Sequence, residues 1–124
     1  MMLFRVLCIE DEPDLRQDLA EELEALGCKV ACASDGISGL KCALHESFDL
    51  IFCDVFLPGL SGPALLAELR ARSGPNVETP VVFLTAYDLA GLNVDISAAG
   101  GAGHLLKPLD YSRLGDLVRS FVAS

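Results

Sequence analysis

Five short apolar runs alternate along the chain with longer segments that carry leucines at helical spacing. The runs cover residues 5–9, 29–33, 50–53, 80–84 and 103–106. Their length suits strands, and the third run, Leu-Ile-Phe-Cys, is apolar enough to be buried on both faces. Strands that alternate with helices through short connections form right-handed crossovers. The pattern therefore predicts an α/β domain with a parallel five-stranded sheet and helices on both faces.

The segments between the strands contain helix start and stop signals. Pro13 suits the first turn of a helix that Gly27 would end, and Asp35 and Ser61 suit the caps of the next two helices. We predict helices from Pro13 to just before Gly27 and over residues 36–47, 63–73, 88–99 and 110–122. In the second helix, three apolar side chains are expected to face the core: Ile37, Leu40 and Leu44. Because the last helix reaches the end of the sequence without a linker, residues 1–124 are predicted to form one domain without an output domain.

The net charge of −9 argues against several classes of function. Non-specific binding to nucleic acid requires a basic surface. No apolar run approaches the roughly 18 residues that a membrane span requires. The first residues, Met-Met-Leu-Phe-Arg, also lack the layout of a signal peptide. We therefore expect a cytoplasmic protein without direct nucleic-acid binding and without membrane insertion.

The cysteines lack the spacing of a metal or redox motif. There are five of them, with no Cys-X-X-Cys pair and no accompanying histidine cluster: Cys8, Cys28, Cys32, Cys42 and Cys53. We interpret all five as reduced and mostly buried, because a free cysteine behaves as a small apolar residue. Neither a zinc site nor a redox pair is expected.

Polar side chains stand at the carboxyl ends of four predicted strands. Glu10 and Asp11 follow the first strand, Asp54 the third, Thr85 the fourth and Lys107 the fifth. In a parallel sheet these ends meet at one edge, where open α/β sheets bind ligands. Three converging carboxylates repel one another, and their oxygens are ligands that suit Mg²⁺ or Mn²⁺.

Asp54 is accordingly a candidate nucleophile, a metal ligand or both. For Glu10 and Asp11 a simpler interpretation stays open, in which they only begin the first helix and cap it.

These residues stand in the order and at the spacings of a known family. Over essentially its whole length the chain resembles the receiver domain of two-component response regulators. The motifs that carry the resemblance are Ile-Glu-Asp-Glu at 9–12, Asp54 with Leu-Pro-Gly-Leu-Ser-Gly at 57–62, Thr-Ala at 85–86 and Lys-Pro at 107–108. The resemblance implies a doubly wound, flavodoxin-like sheet with the strand order 2-1-3-4-5.

The resemblance also implies a metal site and a phosphoacceptor. Asp54 would accept a phosphoryl group from a histidine kinase or a histidine phosphotransfer protein. Mg²⁺ (or Mn²⁺) would be bound by Asp11, by Asp54 and by the backbone carbonyl of Phe56, with Glu10 acting through a water molecule.

Two further residues would act on the phosphoryl group. By the same resemblance, Lys107 would pair with Asp54 and then with the phosphoryl group, and Thr85 would report phosphorylation. The chain would be no dedicated enzyme, because it would catalyse only its own phosphorylation and slow dephosphorylation. It would signal through a protein partner bound by the fourth helix, the fifth strand and the fifth helix.

Three side chains near the site distinguish this chain. His104 occupies the position, three residues before the lysine, where the family usually has Tyr or Phe as a rotating switch; its charge would make the switch sensitive to pH. Phe56 and Tyr87, two residues after Asp54 and Thr85, would border the path of the hydrolytic water. We therefore expect a long-lived phosphoryl group. The alternatives are a partly exposed strand histidine and simple loop packing.

The predicted fourth helix and the segment after Lys107-Pro108 bear on the subfamily. Residues 88–99 contain no Lys or Arg, and residues 109–114 lack the charged pattern usual in members with a winged-helix output. We therefore disfavour that DNA-binding subfamily. The apolar, glycine-bearing helix suggests a protein partner or a mobile element.

Other functions are kept as alternatives. The chain could be a receiver domain taken from a longer hybrid kinase or multidomain regulator, or a pseudo-receiver that binds partners without being phosphorylated. An electron-transfer flavodoxin shares the strand order, but Glu-Asp-Glu-Pro at 10–13 would repel the phosphate of its cofactor. One large family of aspartyl-phosphate phosphatases requires a second aspartate two residues after the first, where this chain has Phe56.

Overall fold

The computed structural model describes residues 4–86 and 102–122. It contains five strands: β1 (Arg5–Ile9), β2 (Lys29–Ala33), β3 (Leu50–Asp54), β4 (Val81–Thr85) and β5 (Gly103–Leu106). Three helices lie between them: α1 (Pro13–Ala25), α2 (Gly36–His45) and α3 (Gly62–Ala71). A 3₁₀ turn (Tyr111–Arg113) leads into the C-terminal helix (Leu114–Val122). The predicted helix at 88–99 and Tyr87 lie outside the described residues.

The strands form one parallel sheet in the order β2-β1-β3-β4-β5. This order confirms the predicted doubly wound, flavodoxin-like fold. The chain reverses its direction of travel across the sheet between β1 and β3, and ligands bind at such a reversal in sheets of this kind. In register, Ile9 lies beside Cys53, Asp54 beside Leu84 and Thr85 beside Leu106. The carboxyl ends of four strands are thereby aligned at one edge.

Helices cover both faces of the sheet because the central strands are apolar on both sides. One core cluster joins the sheet to α2 and α3, with Ile51 and Phe83 at its centre. The other joins it to α1 and the C-terminal helix, with Phe52 and Leu84 at its centre. Burying each such side chain contributes about 1.5–3 kcal/mol relative to exposure. The sheet is therefore a rigid support for the residues at its edge.

The starts of α2 and α3 agree with the predicted caps, but several other details of the sequence interpretation are wrong. Asp35 and Ser61 accept hydrogen bonds from the backbone N–H groups of Ser38 and Ala64, as N-caps do. However, α2 ends at His45, two residues before the predicted end. α3 ends at Ala71, two residues before the predicted end, and the C-terminal α-helix begins at Leu114 and not at residue 110. Ile37, predicted to face the core, has a side chain that is 46% exposed, because the first turn of α2 faces the loop around Gly59.

All five cysteines are free thiols, as predicted. Cys8, Cys28 and Cys53 are buried, whereas Cys32 is exposed. Among the residues that the structure describes, no helix is both long and apolar enough to cross a membrane.

Candidate phosphoacceptor site

The site lies at the carboxyl edge of the sheet and is assembled by main-chain hydrogen bonds. Glu10, directly after β1, donates its backbone N–H to the carbonyl of Ala33 on β2. Lys107, directly after β5, donates its N–H to the carbonyl of Thr85 at 2.7 Å. Asp54 is the last residue of β3. The side chains that the sequence places at strand ends are therefore held at this edge by the sheet itself.

Three carboxylates converge there. Oxygen atoms of Glu10, Asp11 and Asp54 all lie within 4.8 Å of one another. Glu10 and Asp54 are buried, while Asp11 is exposed and leaves the cluster open to solvent on one side. The N-cap of α1 is Glu12, so neither Glu10 nor Asp11 is the cap residue of that helix. Their position is explained by the cluster and not by helix capping.

Lys107 links the two buried carboxylates. Its Nζ atom lies 2.7 Å from Glu10 Oε1 and 3.1 Å from Asp54 Oδ2. The expected pairing with Asp54 is present, but the shorter contact is with Glu10, which the sequence interpretation had assigned to a water-mediated role. One ammonium group thus faces three carboxylates. The cluster keeps an excess of negative charge, which is the condition under which a bound cation stabilises a site.

The ionisation of Glu10 reflects this excess. Burial and the neighbouring acid Asp54 raise the pKa of Glu10, Lys107 lowers it, and the net result is a pKa of about 7. Burial works to lower the pKa of Lys107, but its two carboxylate partners outweigh burial and raise that pKa above its ordinary value. Lys107 therefore stays positively charged. In the metal-free protein the repulsion among the carboxylates makes Glu10 easier to protonate.

The residues present fit a hard divalent cation. Within residues 4–86 and 102–122, Glu10 Oε2 is a buried carboxylate oxygen without a hydrogen-bond partner. Leaving such an atom unpaired costs about 1–3 kcal/mol or more. The donors gathered around it are carboxylate oxygens, which Mg²⁺ and Mn²⁺ prefer over softer ions. An aquated cation in this cluster would supply the missing partner.

The loop after Asp54 is held tightly against the end of β3. The backbone N–H of Phe56 donates to Asp54 Oδ1 at 3.3 Å, and Gly62 donates its N–H to the carbonyl of Val55 at 2.9 Å. A Cβ atom on Gly62 would lie only 2.4 Å from the carbonyl oxygen of Asp54. Gly62 is therefore the residue that lets α3 begin directly against the candidate phosphoacceptor.

The remaining predicted site residues take different positions. Thr85 is fully buried at the end of β4, and the side chain of Phe56 is 54% exposed beside the cluster. His104 is exposed on β5, the edge strand, next to Phe83 of β4 in register. Tyr87 lies outside the described residues. The structure thus brings Glu10, Asp11, Asp54 and Lys107 into one cluster.

Arg16 was missed by the sequence interpretation. Its guanidinium group, on the first turns of α1, donates a hydrogen bond of 2.8 Å to the backbone carbonyl of Glu10. This contact fixes the chain where it leaves β1 and turns into α1. The sequence carries no motif for it, because a side chain that bonds to a nearby carbonyl has no characteristic spacing.

Comparison with known proteins identifies the family. The profile of the "Response regulator receiver domain" matches residues 6–119. The chain belongs to this family, as its motifs indicated. A transcriptional activator protein of Burkholderia pseudomallei, IrlR, is 38% identical over 118 residues, covering 95% of this chain and 50% of that protein. PfeR, a transcriptional activator protein of Pseudomonas aeruginosa, is 36% identical over 110 residues, covering 89% of this chain and 35% of that protein.

Solved structures of receiver domains and response regulators agree with this chain in fold. The receiver domain of the sensor histidine kinase PA1611 from P. aeruginosa superposes with a TM-score of 0.88 at 28% identity, covering 99% of this chain and all of that one, and it holds a magnesium ion in its active-site cleft. The chemotaxis response regulator CheY4 of Vibrio cholerae gives a TM-score of 0.88 at 28% identity over 97% of this chain and 99% of that one.

The share of the matched chain differs between the two kinds of comparison, because the first structural neighbour was crystallised as the receiver domain of a sensor histidine kinase. This chain spans between about a third and a half of PfeR and IrlR, whose names describe transcriptional activators. It spans nearly the whole of the two structural neighbours. Residues 88–99 and 109–114 had led us to disfavour a DNA-binding subfamily. The names of PfeR and IrlR do not support that preference.

Proposed function

We propose that Asp54 accepts a phosphoryl group from a phosphohistidine of a histidine kinase or histidine phosphotransfer protein. The observation that supports this most directly is the contact of Lys107 Nζ with both Glu10 and Asp54, within a cluster of three carboxylates. A carboxylate oxygen of Asp54 would form the new bond to phosphorus while the bond from phosphorus to the histidine nitrogen breaks. Lys107 pairs with the carboxylate of Asp54 and lies where its ammonium group can then stabilise the negative charge on the phosphoryl oxygens.

Magnesium is the cofactor that the cluster fits. Asp11, Asp54 and the backbone carbonyl of Phe56 would hold the ion, with Glu10 acting through a water molecule. When bound, Mg²⁺ neutralises negative charge on the phosphoryl oxygens. The exchange would take place in the cytoplasm, where free cysteines such as the five of this chain are common.

A cleft beside Lys107 suits the approach of a phosphodonor. It has a volume of about 550 Å³ and opens between α1 and the segment that follows Lys107. Asp14 and Asp18 give it acidic character, while Leu15 and Leu109 supply apolar surface. A partner helix with apolar and basic side chains would complement it and bring its phosphohistidine to the edge of the sheet.

The direct test is phosphorylation by a small phosphodonor. Purified protein is incubated with acetyl phosphate and Mg²⁺, and the intact mass is recorded. We expect one phosphoryl adduct, mapped by fragmentation to Asp54, and no adduct when a chelator removes the metal. The absence of an adduct with Mg²⁺ present would instead favour a pseudo-receiver that acts only by binding partners.

Phe56 is predicted to prolong the life of the phosphoryl group. Its exposed ring follows Asp54 by two residues, where it would obstruct the attacking water. Phe56→Asn is therefore expected to shorten the half-life of phospho-Asp54 by about five- to tenfold, equivalent to about 1 kcal/mol of the hydrolysis barrier. The half-life is followed by intact mass after the donor is removed. Val77→Asn, which changes an exposed apolar side chain in another loop, is the control and should leave the half-life unchanged; equal half-lives for all three proteins would contradict the prediction.

The switch is proposed to involve Thr85 and His104 and to control the binding of an effector protein. Thr85 ends β4, and His104 stands on the neighbouring strand β5, so a shift at one is passed to the other through the sheet. New oxygens at Asp54 would recruit Thr85 and Lys107 and bias a two-state element. The partner would bind β5 and the C-terminal helix, together with the predicted fourth helix at 88–99, which lies outside the described residues.

The second histidine of the chain provides a control for this switch. His45 lies on α2, and its Nδ1 is bonded to the carbonyl of Lys41 at 2.7 Å. When Mg²⁺ and beryllofluoride, a phosphoryl mimic, are added, the imidazole NMR signals of His104 are expected to shift and those of His45 to stay in place. Unchanged signals from His104, at saturation of the mimic, would remove it from the switch.

A further inference from the structure

The sheet register brings together two cysteines that are far apart in sequence. Cys8 on β1 and Cys32 on β2 are direct partners in the parallel pairing. Register partners in neighbouring parallel strands project from the same face of a sheet. Cys8 belongs to the core cluster beneath α1, so its register partner Cys32 projects from the face of the sheet that α1 covers. The absence of a Cys-X-X-Cys spacing had led to the expectation that no redox pair exists, but pairing across strands does not require such spacing.

The two thiols differ in access to solvent. Cys8 is fully buried, whereas Cys32 lies exposed on β2, at the edge of the sheet. A reagent in solution therefore reaches Cys32 and not Cys8, which is shielded from solvent on the neighbouring strand. This is the arrangement of an attacking thiol with a second thiol that resolves the first product.

The groups around Cys32 favour its thiolate. The neighbouring Cys8 and the charge of Arg16 lower the pKa of Cys32, burial and Glu24 raise it, and the net result is a pKa of about 7. Arg16 is held in place by its bond to the carbonyl of Glu10. The thiolate is the nucleophilic form of cysteine, so a substantial fraction of Cys32 is reactive at neutral pH.

We propose that Cys32 and Cys8 form a dithiol that peroxide oxidises to a reversible disulfide between β2 and β1. The Cys32 thiolate attacks one oxygen of hydrogen peroxide, the O–O bond breaks, and Cys32 becomes a sulfenic acid as hydroxide leaves. The sulfur of Cys8 then attacks the sulfur of Cys32, and its proton leaves with the hydroxyl group as water. Two electrons pass from the thiol pair to the peroxide, and a dithiol reductant restores both thiols.

The backbone geometry is compatible with this bond. Neighbouring strands lie about 4.7–4.9 Å apart, within the 4.4–6.8 Å separation of Cα atoms that disulfides span. The bond would therefore form without separating the strands. It would join β1 and β2 two residues before Glu10, and this chemistry does not depend on phosphorylation of Asp54.

Cys42 is a matched control for the reactivity of Cys32. It is partly exposed, but burial and the neighbouring carboxylate of Glu46 raise its pKa to about 11. At pH 7 the difference in thiolate fraction favours Cys32 by several thousand-fold, and the lower intrinsic nucleophilicity of its thiolate offsets part of this. Iodoacetamide should therefore label Cys32 about 100-fold faster than Cys42 in the folded chain. Comparable rates at the two sites would overturn the assignment of Cys32 as the reactive thiol.

Peroxide treatment of the folded wild-type chain tests the pair itself. Peptide mass spectrometry should find a product two hydrogens lighter, with Cys8 joined to Cys32, that dithiothreitol reverses. Cys32→Ser should prevent this product and Cys42→Ser should not. In Cys8→Ala, dimedone should trap Cys32 as a sulfenic acid; if that variant does not fold, the wild-type disulfide map decides. A disulfide between other cysteines, or a Cys32 sulfenic acid that persists in the wild type, would refute the proposal.

Discussion

Replacing Asp54 with asparagine is expected to abolish phosphoryl incorporation and to make the metal-free protein more stable. An amide of the same shape has no anionic oxygen to attack phosphorus, so no adduct should form with acetyl phosphate and Mg²⁺. Loss of all signal from a single substitution is the largest functional effect that the cluster predicts. An adduct formed at the wild-type rate would locate the phosphoacceptor elsewhere.

The gain in stability follows from the charges around Lys107. Glu10, Asp11 and Asp54 share one ammonium group, and Asp54 is one of the causes that raise the pKa of Glu10. The variant keeps the 2.7 Å contact between Lys107 and Glu10 and removes a repulsive neighbour. The free energy of unfolding in urea should rise by about 1–2 kcal/mol, which corresponds to about one pKa unit of interaction.

A control variant separates this effect from the net charge. Glu22→Gln removes a carboxylate from the exposed surface of α1, away from the cluster, and should change stability by less than about 0.5 kcal/mol. Mg²⁺ should raise the Tm of the wild type more than that of Asp54→Asn, because the variant has lost a ligand. Equal stability of Asp54→Asn and wild type without metal would mean that the acids do not strain the fold.

Replacing Asn76 with alanine is expected to lower the free energy of unfolding by about 3–5 kcal/mol. Asn76 is buried in the loop before β4, where its amide nitrogen donates to the carbonyls of Ala43 and Glu46 at the end of α2. Its amide oxygen accepts from the backbone N–H of Phe48 at 2.8 Å and lies 3.0 Å from the Thr79 hydroxyl. The truncation would leave main-chain groups of α2 and of the segment before β3 without partners, at about 1–3 kcal/mol for each buried group.

Two further variants sharpen the measurement of Asn76. Asn76→Asp keeps the acceptor but turns a second oxygen toward two carbonyls, so at neutral pH it should be at least as destabilising as alanine. Gln17→Ala removes an exposed amide that bonds to Glu21, and should cost less than about 0.5 kcal/mol. Small domains are stable by about 5–15 kcal/mol, so a loss of the expected size is readily measured. A loss below about 1 kcal/mol for Asn76→Ala would instead show that water replaces these bonds.

The features that the sequence predicted are those set by local pattern. β1, β2 and β5 have the predicted bounds because short apolar runs mark strands, and the carboxylates fall at one edge because parallel strands align their ends. Ile37 shows the limit of this reasoning. Its spacing in α2 matches the core positions, but the first turn of that helix lies against the loop at Gly59 and not over the sheet.

The features that escaped prediction depend on distances across the fold. The contact of Lys107 with Glu10 joins residues 97 positions apart, and its length depends on how far a flexible side chain reaches. The bonds of Asn76 to α2 span about 30 positions of sequence, and an isolated Asn in a loop gives no sign of them. Cys8 and Cys32 meet only because β1 and β2 pair in one particular register.

Gly62 bears on whether the duration of a signal can change without a change in the position of Asp54. Because Gly62 carries no side chain, α3 begins against the main chain of Asp54, and the loop in between is closed by bonds between backbone atoms. These backbone bonds do not depend on which side chain stands at position 56. With Phe56 in the proposed role of shielding the phosphoryl group, a change of its side chain is expected to alter how long a signal lasts while the backbone around Asp54 keeps its shape.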